Sequence, residues 1–134
     1  MIRYLTSEEV LIIHARIVDA TGGLHGVRDI SRIASMIERP KQQFGGEDLY
    51  PTLFLKSAVY FEVSAYHHPF VDGNKRTAIA LGARFLFLNG YDLATTDENL
   101  EEFVIECVIK KNDLQVIAKW FEKHSRKILR RKKS

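Results

Sequence analysis

The chain has 134 residues, of which 46% are hydrophobic and 28% charged. This is the composition of one soluble globular domain, long enough to bury a core without staples. A single cysteine, Cys107, excludes an internal disulfide and fits a reducing cytoplasm.

The start of the chain lacks the apolar core of a signal peptide ahead of the acidic pair Glu8-Glu9. Thr6-Ser7-Glu8-Glu9 is a capping box. The helix it opens carries Val10, Leu11, Ile13, Ile17 and Val18 on one face, and Gly22-Gly23 ends it. A connection leads to Asp29, which caps a second helix bearing Ile30, Ile33, Met36 and Ile37 and stopped at Arg39-Pro40. Residues 40–50 read as an exposed loop or flap, with Lys41–Tyr50 the candidate for docking a partner protein. Pro51 suits the first turn of a third helix, which runs to about His67 and is apolar nearly all round, as an interior helix is. A fourth runs from about Gly73 to Asn89 and closes at Gly90. Tyr91–Thr95 is a short extended link. Thr95 and Glu98 then form a capping box for a helix to about Lys110, in which Cys107 reads as a small buried hydrophobe. Asn112-Asp113 starts the last helix, with Leu114, Ile117, Ala118 and Phe121 on its apolar face.

No strand alternation of any length and no internal repeat is present, so the expected class is all-α, a compact single-domain bundle of about six helices. The most apolar stretches, 53–66 and 78–88, are interrupted by Lys56, Glu62 and Arg84 and are too short to cross a bilayer. The net charge of +3 is uneven: residues 123–134 hold seven cations and no acid, leaving 13 basic against 17 acidic residues, a net −4, in 1–122. This basic tail reads as a solvated, frayed helix end, and it does not by itself make nucleic acid an expected partner.

The stretch His67-His68-Pro69-Phe70-Val71-Asp72-Gly73-Asn74-Lys75-Arg76-Thr77 joins the two most apolar helices. Pro69 stops the third helix and restricts His68, and Gly73 permits a tight turn. Lys75 and Arg76 then stand at the positive end of the fourth helix, where each cation costs on the order of 0.3–1 kcal/mol. The conflict vanishes if an anion occupies the spot, because free backbone N–H groups with a Lys and an Arg make a phosphate site. Asp72 is a hard oxygen ligand of the kind that holds Mg²⁺ together with substrate phosphates. His68, on the other arm of the loop, is a candidate general base. Phosphate cradle, metal carboxylate and base within nine residues point to transfer of a phosphorus-containing group to a hydroxyl. The segment is neither a Walker loop, which needs its glycines and Gly-Lys-Ser/Thr elsewhere, nor a zinc site, since adjacent histidines point apart and lack partners at suitable spacing.

His68 to Arg76 closely resembles the nine-position signature of the Fic/Doc family, and the resemblance extends over roughly residues 3–122, through Leu5–Leu24, the flap and Asn89-Gly90. The basic tail, 123–134, lies outside it. Fic enzymes, which transfer AMP, have a second glycine where this chain has Lys75 and an arginine where it has Ile79; the Asn-Lys-Arg version is that of Doc proteins. The resemblance therefore implies a Doc-type toxin of a toxin–antitoxin module. Such an enzyme binds ATP in the reversed pose and transfers its γ-phosphate to a threonine of elongation factor Tu, which halts translation. A Phd-type antitoxin is the implied inhibitor, since the chain has no internal Ser/Thr-x-x-x-Glu-Gly/Asn inhibitory helix. By motif position, His68 is the base and Asp72 helps hold Mg²⁺. Gly73 and Asn74 form the anion nest, Lys75 and Arg76 bind phosphates, and Phe70 is a buried anchor for the loop. Tyr66 stands where Doc relatives carry a basic residue. The competing expectations are an AMP or other nucleotidyl transferase on the same fold, and a non-catalytic module binding an acidic or nucleic-acid partner through its tail.

Overall fold

Side-chain caps decide where most of the helices begin. The computed structural model describes residues 1–129 and contains α1 (Ser7–Thr21), α2 (Ile30–Glu38), a 3-10 turn (Arg39–Lys41), β1 (Gln43–Phe44), β2 (Glu47–Asp48), α3 (Leu53–His67), α4 (Asn74–Leu88), β3 (Tyr91–Leu93), α5 (Asp97–Lys110), α6 (Leu114–Lys123) and β4 (Ser125–Lys127). Both halves of the Thr6/Glu9 capping box form, and Asp29 and Asp113 cap α2 and α6 as expected. Two boundaries differ. Thr52 caps α3, so Pro51 lies ahead of the helix instead of in its first turn. Thr96, not Thr95, caps α5, because its hydroxyl is the one three residues ahead of the Asn99 N–H.

The all-α expectation holds, with two small additions. Inside the flap, β1 and β2 pair as a two-residue hairpin turned by Gly45 and Gly46, both at positive φ (60° and 84°). β3 pairs antiparallel with β4, setting Asp92 opposite Arg126. Residues 125–127 are therefore a strand and not a frayed helix end; three residues are too few for alternation to be visible in sequence. Arg130 to Lys133 of the basic tail lie outside the described residues. No described helix is long and apolar enough to cross a membrane.

α3 runs through the middle, buried from Lys56 to Phe61 and again from Val63 to Ala65, and packs against α4 and α6. The charges that interrupt its apolar sequence tie down the flap. Lys56 is fully buried; its Nζ donates to Pro40 O and to Asp48 Oδ2, both at 3.1 Å. Glu62 pairs with Arg39 at 3.0 Å. Two apolar faces are narrower than periodicity alone suggests: Leu11 and Ile30 are exposed, and the buried stripe of α1 is Val10, His14 and Val18.

α4 crosses α6 at Gly82, where a Cβ would stand 2.6 Å from the Phe121 ring. Phe121 is fully buried and cannot swing away. Gly82→Ala is expected to destabilise the protein by about 1–3 kcal/mol through overpacking, despite the higher helix propensity of alanine. Chemical denaturation checks this; a gain in stability would show that the two helices can separate freely.

Candidate active site

The last turn of α3 ends at His68, which takes the left-handed conformation (φ 48°, ψ 62°) immediately before Pro69. A non-glycine residue is held there only when its surroundings over-determine it. The surroundings are the α1–α2 link and the start of α2. Pro69 O accepts the N–H groups of Arg28 (2.8 Å) and Asp29 (3.1 Å), Gly26 O accepts Val71 N–H (3.0 Å), and Val27 and Phe70 form an isolated β-bridge. The side chains of Arg28 and Arg32 donate to the carbonyls of His68 and His67.

From inside, the loop hangs on Phe70. Its ring is fully buried, as expected for an anchor, and stacks on the His14 imidazole with centroids 3.7 Å apart and planes 4° from parallel. The His14 Nε2 lies 2.8 Å from Asp72 O; a carbonyl only accepts, so this nitrogen carries the proton. The Asn74 side chain clamps the Phe70 backbone on both sides, its Oδ1 accepting Phe70 N–H (3.0 Å) and its Nδ2 donating to Phe70 O (2.9 Å). Ser64, buried in α3, donates to Asn74 O at 2.7 Å. Asn74 is thus a staple of the loop.

Gly73, at φ 74° and ψ 15°, precedes α4, and here the helix start differs from all the others. The other five α-helices have a side-chain cap; α4 has none, and it has no acid in its first turn. Lys75 and Arg76 occupy that turn, both exposed. The positive end of a 15-residue helix is thus left open toward a cleft of about 350 Å³, lined by all six predicted site residues, His68, Asp72, Gly73, Asn74, Lys75 and Arg76, together with Thr21 and Gly22. Open N–H groups and two cations at a helix N-terminus favour an anion at this end of the cleft.

Asp72 is exposed at the cleft. Its Oδ2 accepts the Leu24 N–H at 3.1 Å, and its Oδ1 accepts Gly73 N–H at 3.3 Å. Gly23 (φ 108°) lets the link pass close by, since a Cβ there would fall 2.9 Å from Oδ2. No cluster of three metal-ligating side chains occurs among the described residues. A single oriented carboxylate beside a phosphate cradle fits a Mg²⁺ held jointly with phosphate oxygens, and does not fit a cation caged by protein alone.

His68 is half-buried, and its pKa lies below the ordinary histidine value. Burial is the leading cause, followed by the charges of Arg28, Lys111, Lys75 and Arg32. The imidazole is therefore a neutral, proton-accepting group at pH 7. Of the residues around it, the sequence singled out only Lys75. Arg28, Arg32 and Lys111 come from three other parts of the chain and share no motif. His14 did leave a signal, as the one polar residue on the buried stripe of α1. Tyr66, the departure two residues before His68, donates its hydroxyl to Asn112 O at 2.9 Å, and burial pushes its pKa well up; it is a structural group joining α3 to the α5–α6 turn.

Residues 4–86 match the model of the Fic/DOC family. The chain is 37% identical over 120 residues to Toxin Doc of Mycolicibacterium smegmatis, covering 88% of this chain and 90% of that protein. It is 33% identical over 96 residues to Protein kinase doc of Escherichia phage P1, covering 72% of this chain and 75% of that one.

Because His68 sits in a conformation that costs an L-residue about 1–2 kcal/mol, His68→Gly is expected to be as stable as the wild type or more so, while losing activity. Thermal melting beside a turnover assay checks this. A marked loss of stability would mean that the imidazole itself holds the loop.

Proposed function

The chain belongs to the Fic/DOC family, and from that premise we propose that it is a Doc-type toxin kinase, which moves the γ-phosphate of ATP to a Ser or Thr hydroxyl of a protein target. The observation that carries the choice is Lys75. It stands in the first turn of α4, where the AMP-transferring members of the family leave room with a second glycine. A lysine there both occupies that room and binds phosphate, which favours presenting the far end of the triphosphate to His68. By resemblance the target is elongation factor Tu, the effect is arrest of translation, and the inhibitor is a separate Phd-type antitoxin. The names of the two relatives support the toxin and kinase parts of this reading.

The roles follow from the chemistry of each group. The neutral His68 imidazole accepts the hydroxyl proton as the acceptor oxygen bonds to the γ-phosphorus. The bond from that phosphorus to the bridging oxygen breaks, and ADP leaves. Gly73, through its left-handed turn, and Asn74 form the nest for the phosphates, and Lys75 and Arg76 neutralise them. Asp72 would hold, with phosphate oxygens, a Mg²⁺ whose contribution is to offset phosphate charge. The flap exposes Phe44 on a hairpin anchored to the buried Lys56, a rigid edge suited to docking a protein target.

Two measurements test this. Purified protein with Mg²⁺ and elongation factor Tu should pass label to the target from γ-labelled but not from α-labelled ATP; transfer of the α-label would establish AMP transfer instead. His68→Ala should lower the rate by about 10²–10⁴-fold. The second measurement is the pH dependence of kcat/KM. A base must be unprotonated, and here protonation is disfavoured, so activity should fall only as pH drops through a value below the ordinary 6.5. A limb centred above that value would mean another group titrates.

A further inference from the structure

Three consecutive carbonyls, those of His67, His68 and Pro69, each accept hydrogen bonds from one short segment, residues 28–32. Arg32 Nη1 donates to His67 O, Arg28 Nε to His68 O at 3.0 Å, and the backbone N–H groups of Arg28 and Asp29 to Pro69 O. The first two carbonyls close the C-terminus of α3, where partial negative charge accumulates and cations are favoured. Asp29 does two jobs at once: it caps α2 and accepts Arg32 Nε at 2.9 Å, so the guanidinium is aimed before it reaches His67. Within this grip lies the one left-handed residue of the loop apart from Gly73, and it is His68.

We propose that Arg28 and Arg32 are positioning residues of the transfer reaction, holding the His68 imidazole in its working place by gripping the carbonyls on either side of its backbone. This rests on the reading of His68 as the base. The same two side chains also act by charge. The cations facing the imidazole are Arg28 from the α1–α2 link, Arg32 from α2, Lys75 from α4 and Lys111 from the α5–α6 turn, and all four disfavour its protonation. The carboxylates on neighbouring elements are Asp72, lining the same cleft, and Asp29, engaged with Arg32. Lys111 makes no contact with the loop carbonyls; its ammonium lies over the Tyr66 ring, 5.2 Å from the centroid. Grip and charge are thus separable by mutation.

The experiment compares Arg28→Gln, Arg28→Lys, Arg32→Gln and Lys111→Gln with the wild type. Phosphoryl transfer is followed against pH, and the His68 imidazole is titrated by NMR, with its resonance assigned from His68→Ala. Arg28→Gln and Arg32→Gln should lower kcat by up to about a hundredfold, leave KM for Mg·ATP within about twofold, and move the His68 titration upward. Arg28→Lys keeps the charge but not the planar fork, so the titration should stay in place while kcat remains low. Lys111→Gln should move the titration upward and spare the plateau rate. Unchanged kcat in both arginine variants, or a loss seen only as a higher KM for Mg·ATP, would overturn the proposal. Should His68→Ala itself remain active, the base assignment fails instead. The titration needs no turnover, so it still reports whether the arginines govern the state of His68.

Discussion

Helix α3 cannot continue past His67. Pro69 has no N–H to give to the helix, and its ring disfavours the right-handed conformation for His68. The chain leaves by a left-handed residue, and every feature of the site follows from keeping that residue where it is. Phe70 is driven into the core and stacks on His14; the Asn74 amide locks the Phe70 backbone; residues 26–32 hold the outer side. The strain at one residue is offset by many ordinary hydrogen bonds on the backbone around it, so the imidazole is placed before any substrate arrives.

The same bend sets the electrostatics. It ends α3 and begins α4 within six residues, so the negative end of one helix and the positive end of the next face a common cleft. The negative end is met by Arg28 and Arg32. The positive end has no cap and adds two cations of its own, which leaves it unsatisfied without an anion. His68 is half-buried between these cationic groups, and burial first, then the neighbouring charges, disfavours its protonation. One arrangement of backbone therefore gathers open helix N–H groups and cations beside an imidazole whose protonation is disfavoured.

Charges elsewhere on α3 have a comparable logic. Lys56 and Glu62 break the apolar pattern of α3, yet both reach out of the core to hold the flap, Lys56 through Pro40 and Asp48 and Glu62 through Arg39. A buried ammonium with two oxygen partners fixes the base of the hairpin. Flap and loop are thereby mounted on the same central helix.

The sequence by itself determined the helices, the position of the loop and which chemical groups the loop carries. These depend on local rules: caps that must sit three residues ahead of the N–H they serve, a proline that must end a helix, and cations that do not belong in a first turn. Local rules erred where two candidates stood side by side, as with Pro51 and Thr52 or Thr95 and Thr96, where a segment was too short to show its period, as with β1, β2 and residues 125–127, and where an apolar position met no packing neighbour, as with Leu11 and Ile30. Tertiary structure alone decided which distant side chains meet the loop. Arg28, Arg32 and Lys111 converge on His68 because α2 and the α5–α6 turn pack at the end of α3. Contacts between residues so far apart in sequence leave no periodicity or spacing to read. The left-handed state of His68 belongs to the same class, since proline excludes one conformation but only the surrounding contacts select among those that remain.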